Sequence, residues 1–260
     1  MIGWFVSLIL VLVFSVGAWI PGAMDGALTA ALQQRLGATA TARVHVEGDP
    51  LLQMPFGHVP LVEARLTGYR VMDVPVKQVT LRLTDVKVQP QEAFFSRRAV
   101  LQAPAGAWVA IEIEASALQA YLDRLVAGGA FNHMQAGIAL FGRPVTASLR
   151  DPVLTLNGGR IGMTGIAEMS PSGARVPVEA SAGLEIVDGS RLNLVSPQIK
   201  LNGQALPAFL LAGTVERFNP VLDLSKLQLP PGTWRLLALE LTPAGATLKA
   251  GGEITALPAQ

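Results

Sequence analysis

The stretch 175–187 alternates between two residue classes without a break. Val176, Val178, Ala180, Ala182, Leu184 and Ile186 form one set, and Arg175, Pro177, Glu179, Ser181, Gly183 and Glu185 the other. A period of two places each set on its own face of a β-strand. Such a strand is much longer than the usual five or six residues, and its apolar face needs something to lie against it. The same period recurs in 107–115, where Val109, Ile111 and Ile113 alternate with Trp108, Ala110, Glu112 and Glu114.

A third long strand, 74–89, changes phase midway. Val79, Leu81 and Leu83 share one parity and Val86 and Val88 the other, so the register slips at Thr84-Asp85. A bulge or strong twist at that point bends the strand. Hairpin signals follow at Asn157-Gly158-Gly159, Asp188-Gly189 and Pro243-Ala244-Gly245. Helices are expected over 23–36, ended by Gly37, and after Ser116, which with Gln119 reads as a capping box ahead of Leu118, Tyr121, Leu122 and Leu125. Two further helices are expected, over 206–218, stopped by Asn219-Pro220, and as a short piece around 91–97. Gly159, Gly162 and Gly165, spaced by threes in a strand-like stretch, fit bending or close packing rather than a nucleotide loop.

Residues 1–24 carry no charged side chain, and Trp4 and Trp19 stand near the two ends of the run. About 20 apolar residues suffice to cross a bilayer as a helix, and tryptophan favours the two interfaces. Two fates fit: an uncleaved single-pass signal-anchor, or a signal peptide cut after Val16-Gly17-Ala18. The remaining 25–260 reads as one β-rich body. Half of the residues are apolar and only 15% are charged, against about 25% in an ordinary soluble domain. The surplus has to fill a core or line a cavity. Net charge is +1 and basic residues are scattered, so no nucleic-acid footprint is present. Cysteine is absent, which excludes disulfides, thiolate metal ligands and thiol nucleophiles.

Chemistry-bearing patterns are sparse. His45, His58 and His133 are far apart and match no zinc-hydrolase spacing. No G-x-S-x-G elbow and no phosphate-binding P-loop occurs. Glu112 and Glu114 stand on one strand face, roughly 7 Å apart by strand rise. Paired carboxylates at such a distance can act on glycosides, but a solvated outer face explains them more simply. Phe94-Phe95 precedes Arg97-Arg98. Two phenylalanines beside two guanidiniums can hold an acyl chain and its phosphate, or simply pack in a surface loop.

Several stretches resemble one family. They are ALTAALQQRLG, DPLLQMPFGHVPLVEARLTGYRV, VPVKQVTLRLTDVKVQPQEAF, VAIEIEASALQAYL and, most sharply, Phe218-Asn219-Pro220-Val221-Leu222-Asp223-Leu224-Ser225 through Leu229-Pro230 to the strand after Gly232. Over about 25–255 the chain resembles the LmeA-like phospholipid-binding proteins of the bacterial envelope. It departs from them at Met54-Pro55-Phe56-Gly57-His58, where a more direct link is expected. The resemblance implies an elongated, curved β structure like tubular lipid-binding proteins, phospholipid binding, and a role in envelope upkeep.

The expected fold is α+β and mostly β: an elongated, highly curved antiparallel sheet or partly closed barrel, with helices packed on an apolar cavity and an N-terminal transmembrane helix. The expected function is phospholipid binding by a membrane-tethered protein with no enzymatic activity, no cofactor, no metal and no nucleic-acid partner. The body is expected outside the cytoplasm, held by the anchor or released into the periplasm or medium after cleavage. Phe94, Phe95, Leu122, Leu125, Phe209 and Leu210 are the expected wall residues, with Arg97 and Arg98 at the mouth. The alternatives are a structural envelope protein with a filled core and a glycolipid-acting enzyme using Glu112 and Glu114.

Overall fold

The computed structural model describes residues 26, 29, 30, 33, 40–47, 56–71, 74–89, 91–92, 100–131, 134–140, 143–207, 219–227, 229 and 231–256. In chain order the strands are β1 (Thr41–Glu47), β2 (His58–Thr67), β3 (Arg70–Val71), β4 (Val74–Pro75), β5 (Gln78–Lys87) and β6 (Ala105–Glu114). Helix α1 (Ala115–Ala127) follows. Then come β7 (Met134–Leu140), β8 (Arg143–Asn157), β9 (Arg160–Ser170), β10 (Arg175–Val187), β11 (Arg191–Leu201), β12 (Gln204–Ala205) and β13 (Leu222–Asp223). A short 3-10 turn (Leu224–Lys226) precedes β14 (Gly232–Thr242) and β15 (Gly245–Ile254).

These strands form two large antiparallel sheets. The first has the order β1-β2-β5-β6-β15-β14, and the second β12-β11-β10-β9-β8-β7, with β13 also on β11. β3 and β4 make a separate small hairpin. Neither large sheet closes on itself, so of the two expected forms, an antiparallel sheet or a partly closed barrel, the open sheet is the one found, and it is found twice. The reason lies at the edges, where side chains take the place of a closing strand. Along the outer edge of β1, the Val44 amide donates to Thr29 Oγ1 at 3.1 Å and the Ala42 amide to Gln33 Oε1 at 3.1 Å, while Gln33 Nε2 donates to the Ala40 carbonyl. Thr29 and Gln33 are both helical and stand one turn apart, so one helix face blocks this edge against further pairing.

The long strands bend where the sequence changes phase. In β5, Thr84 and Asp85 are both exposed between buried Leu83 and Val86, and Asp85 takes a left-handed φ of 51°. β2 slips at the same level: Val59 and Val62 are buried and Pro60 and Leu61 only partly so. Because both strands slip together, the pairing Val59↔Val86 and Val62↔Leu83 stays in register through the kink. The second sheet bends by true bulges, at Asp151 in β8 (φ 47°) and Ser196 in β11 (φ 46°), and β14 bulges at Leu237. Gly165 belongs to the first of these bends: a Cβ there would stand 2.9 Å from the Arg150 carbonyl oxygen. The predicted turns at Asn157-Gly158-Gly159 and Asp188-Gly189 carry the positive φ values that such hairpins need.

The first sheet has a filled core. Val59, Leu83, Val86, Val88, Ala105 and Ile254 are fully buried on its inner face. A second, smaller cluster of Leu192, Leu224 and Leu236 joins the sheets, and Trp234 packs against both. The joint is pinned by the Leu236 amide donating to the Gly189 carbonyl at 2.6 Å. On the outer face of the first sheet, Glu63 accepts from Arg65 Nε at 2.7 Å and from Arg82 Nε at 2.7 Å. Partial burial pushes the Glu63 carboxyl up, and the hydrogen bonds and charges of Arg82 and Arg65 outweigh this and hold it below its ordinary value. A carboxylate held low when folded stabilises the fold above its unfolded pKa, and that contribution is lost as pH falls through the folded one. The urea midpoint is therefore expected to fall on acidification below about pH 4, with a shallower fall in Glu63→Gln; identical slopes would contradict the assignment.

Helix α1 departs from its predicted start. It begins at Ala115 with Glu114 as N-cap and no side-chain cap, so Ser116 and Gln119 do not form a capping box. β6 runs straight into the helix, and the Ala115 amide is satisfied instead by the Ala244 carbonyl at 2.9 Å. Of the expected 23–36 helix, Gly26, Thr29, Ala30 and Gln33 are helical. Most of the 91–97 and 206–218 helices lie outside the described residues. Among the described residues no helix is long and apolar enough to cross a membrane, and the run 1–24 lies outside them.

Candidate lipid-binding face

The second sheet differs from the first in how its apolar face is covered. The register sets rows of side chains across it: Leu149, Ala167 and Val176; then Leu154, Met163, Ala180 and Ile199; then Leu156, Ile161 and Ala182; then Leu184 and Leu194. No charged residue interrupts these rows. The opposite face is mainly polar, with ion pairs Arg150–Glu168 at 3.2 Å and Lys200–Glu179 at 3.6 Å, though Val153 and Ile166 also stand exposed on it. A sheet so divided hides one face from water. Yet Leu154, Met163, Ala180, Ile199, Val176 and Val178 are only half-buried, whereas the first sheet's inner face is closed at its centre.

One end of this face is shut. Ile186 and Leu184 run into the Leu192, Leu224 and Leu236 cluster, which β14 and the 3-10 turn complete. The other end carries the turn at 171–173, beyond Val176 and Met169, and the turn at 202–203.

The two flanks are held by side-chain amides. Past the bulge at Asp151, the outer edge of β8 offers the Pro152 carbonyl and the Leu154 amide. Gln119 of α1 takes both, with Nε2 donating to Pro152 O at 2.7 Å and Oε1 accepting from Leu154 N at 2.7 Å. On the far flank, Asn219 accepts from the Leu194 amide at 2.7 Å and donates to its carbonyl at 3.1 Å, standing in for a neighbouring strand on β11. Gln119→Leu is expected to leave two backbone groups without partners and to lower stability by about 2 kcal/mol or more. Hydrogen exchange at the Leu154 amide is the direct check: unchanged protection would contradict the role given to Gln119.

Leu122 and Leu125 are placed on α1, half-buried, and no side chain of this helix is fully buried. Phe94, Phe95, Arg97, Arg98, Phe209 and Leu210 lie outside the described residues. Glu112 and Glu114 stand on the face of β6 opposite Val109, Ile111 and Ile113. Glu112 lies 3.9 Å from Lys77, Glu114 accepts from Ser116 at 3.4 Å, and Glu114, Ser116 and Lys77 border an open recess. Exposed His45 is 3.7 Å from Glu47 and partly buried His58 is 2.9 Å from Asp85, while His133 lies outside the described residues. Nothing in the sequence pattern marks Met163, Ala180 and Ile199 or the clamps Gln119 and Asn219 as site residues. The β10 alternation puts Ala180 on the apolar face, but only strand register brings Met163 and Ile199 beside it.

Fold and face together define a mostly-β protein that pairs one closed core with one broad, half-covered apolar sheet face. The family model for LmeA-like phospholipid-binding proteins matches residues 16–251, and the chain belongs to that family. This agrees with the resemblance carried by the turns and caps. No curated protein and no solved structure is significantly similar to the chain.

Proposed function

We propose that the protein is a membrane-tethered phospholipid-binding protein of the bacterial envelope, whose acyl chains lie along the apolar face of the second sheet. The observation that carries this is a continuous apolar face whose central row (Leu154, Met163, Ala180 and Ile199) and Val176 and Val178 remain half-buried, although Leu149, Leu156, Ala167 and Ala182 are buried, beside a filled first-sheet core. β10 has 13 residues, which at about 3.3 Å each span roughly 40 Å. An acyl chain reaches about half of a hydrocarbon core of ~30 Å, so the face is long enough to take it. Each CH2 moved out of water contributes about 0.8 kcal/mol, ample for a long chain. α1, with half-buried Leu122 and Leu125, flanks the site, and the headgroup sits at the end away from the Leu192, Leu224 and Leu236 cluster.

In this reading residues 1–24 hold the body to the membrane on the side outside the cytoplasm, and the protein acts by binding alone, carrying or holding lipid for the envelope. A transfer assay checks the carrier role. Donor vesicles with a self-quenched fluorescent phospholipid are mixed with acceptor vesicles, and the protein is expected to speed the rise in emission. No acceleration, in a protein that still yields extractable phospholipid, would remove carriage and leave holding.

A further inference from the structure

We infer that the end of the first sheet bearing Phe56 docks on the bilayer, so that the body meets the membrane through this tip as well as through its tether. The inference rests on residues 1–24 being the membrane segment, and adds where the body touches the lipid surface.

Three observations converge on that end. Phe56 is 75% exposed, the most exposed large hydrophobic among the described residues, and Val100 nearby is also exposed. Both belong to the same tip: the Val88 amide donates to the Gly57 carbonyl at 2.8 Å, and the Gln89 amide to the Val100 carbonyl at 2.9 Å. An exposed phenylalanine at a loop tip is costly in water and at home in an interface.

The second observation is the path of the chain. Thr29 bonds the Val44 amide and Gln33 the Ala40 and Ala42 backbone, so the helical residues run antiparallel to β1. Going back from Gln33 to Gly26 moves toward Glu47. Glu47 pairs with Leu61 and Leu61 with Thr84, and the strands then continue to His58 and Lys87 and on to Phe56. The chain therefore reaches the body from the side on which Phe56 lies, and Phe56 projects beyond Gly26 in that direction.

The third is length. Only Asp25 separates Met24, the last of the uncharged run, from Gly26. The two steps along the chain reach at most about 7 Å. A bilayer entered so close to Gly26 faces the side on which, among the described residues, Phe56 and Val100 stand exposed.

The chain has no cysteine, so a single introduced one can be labelled uniquely. Phe56→Cys and Ala244→Cys, the latter at the opposite end of the same sheet, are labelled with an environment-sensitive fluorophore in the full chain. Each is reconstituted into phosphatidylcholine–phosphatidylglycerol vesicles containing nitroxide lipids, and flotation reports whether the chain is in the membrane. Expected are flotation of both, with quenching at position 56 several times that at 244. Flotation with equal, weak quenching at both positions would overturn the docked tip and leave the tether. Failure to float would overturn the tether and the docking together. Labelled Val100→Cys is the second probe: its quenching is expected to fall when Phe56→Asp is added, and an unchanged signal would count against Phe56 as the contact.

Discussion

Ala180→Asp is expected to empty the protein of phospholipid while leaving it folded. Ala180 stands in the middle of the row Leu154, Met163, Ala180 and Ile199, and is half-buried. A carboxylate there has no partner across either neighbouring strand on that face and would lie against acyl methylenes. Burying such a group costs about 3 kcal/mol or more, which is roughly a hundredfold in affinity. The fold loses little, because no large side chain is removed and the change in strand preference is worth about 1 kcal/mol. Phosphate analysis of an organic extract, read beside a urea unfolding curve, gives both quantities. An undiminished phospholipid content in a folded variant would remove this face from the binding site.

Leu83→Ala is expected to do the reverse. Leu83 is fully buried in the first-sheet core, and truncating a buried leucine costs about 2–5 kcal/mol. That is a large share of the 5–15 kcal/mol that holds a typical domain. The fraction that remains folded should still carry lipid, because the second sheet's face is untouched. A loss below about 1 kcal/mol would show that the first-sheet interior is not filled. The two substitutions thus separate a core that stabilises from a face that binds.

The contrast also shows what could be read from the residues. The alternation over 175–187 predicted β10 to the residue, because a long two-sided strand writes its period directly into the chain. The kink at Thr84-Asp85 was equally legible, as the apolar parity changes there. Its partner in β2 was not, since Pro60 and Leu61 interrupt the pattern without marking a phase. Gln119 was misread because a local motif, Ser three residues before Gln, fits a helix cap. Its amide is instead claimed by a bulged strand more than thirty positions later, and that demand exists only in three dimensions. Long bent strands are equally compatible with an open curved sheet and with a partly closed barrel, and the edge clamps at Gln33, Gln119 and Asn219 go with the open form. Finally, a filled core and an open binding face share one alternating pattern. Val79, Leu81 and Leu83 read like Val176, Val178 and Ala180, and only packing distinguishes them.

Native mass spectrometry of residues 25–260, before and after incubation with vesicles of a different lipid composition, decides whether the second sheet's face holds a phospholipid. Expected is a protein mass increased by a stoichiometric phospholipid, replaced after incubation by one from the vesicles. A bare protein mass that stays unchanged after incubation would contradict it and point to a structural protein whose second sheet is covered by its own chain.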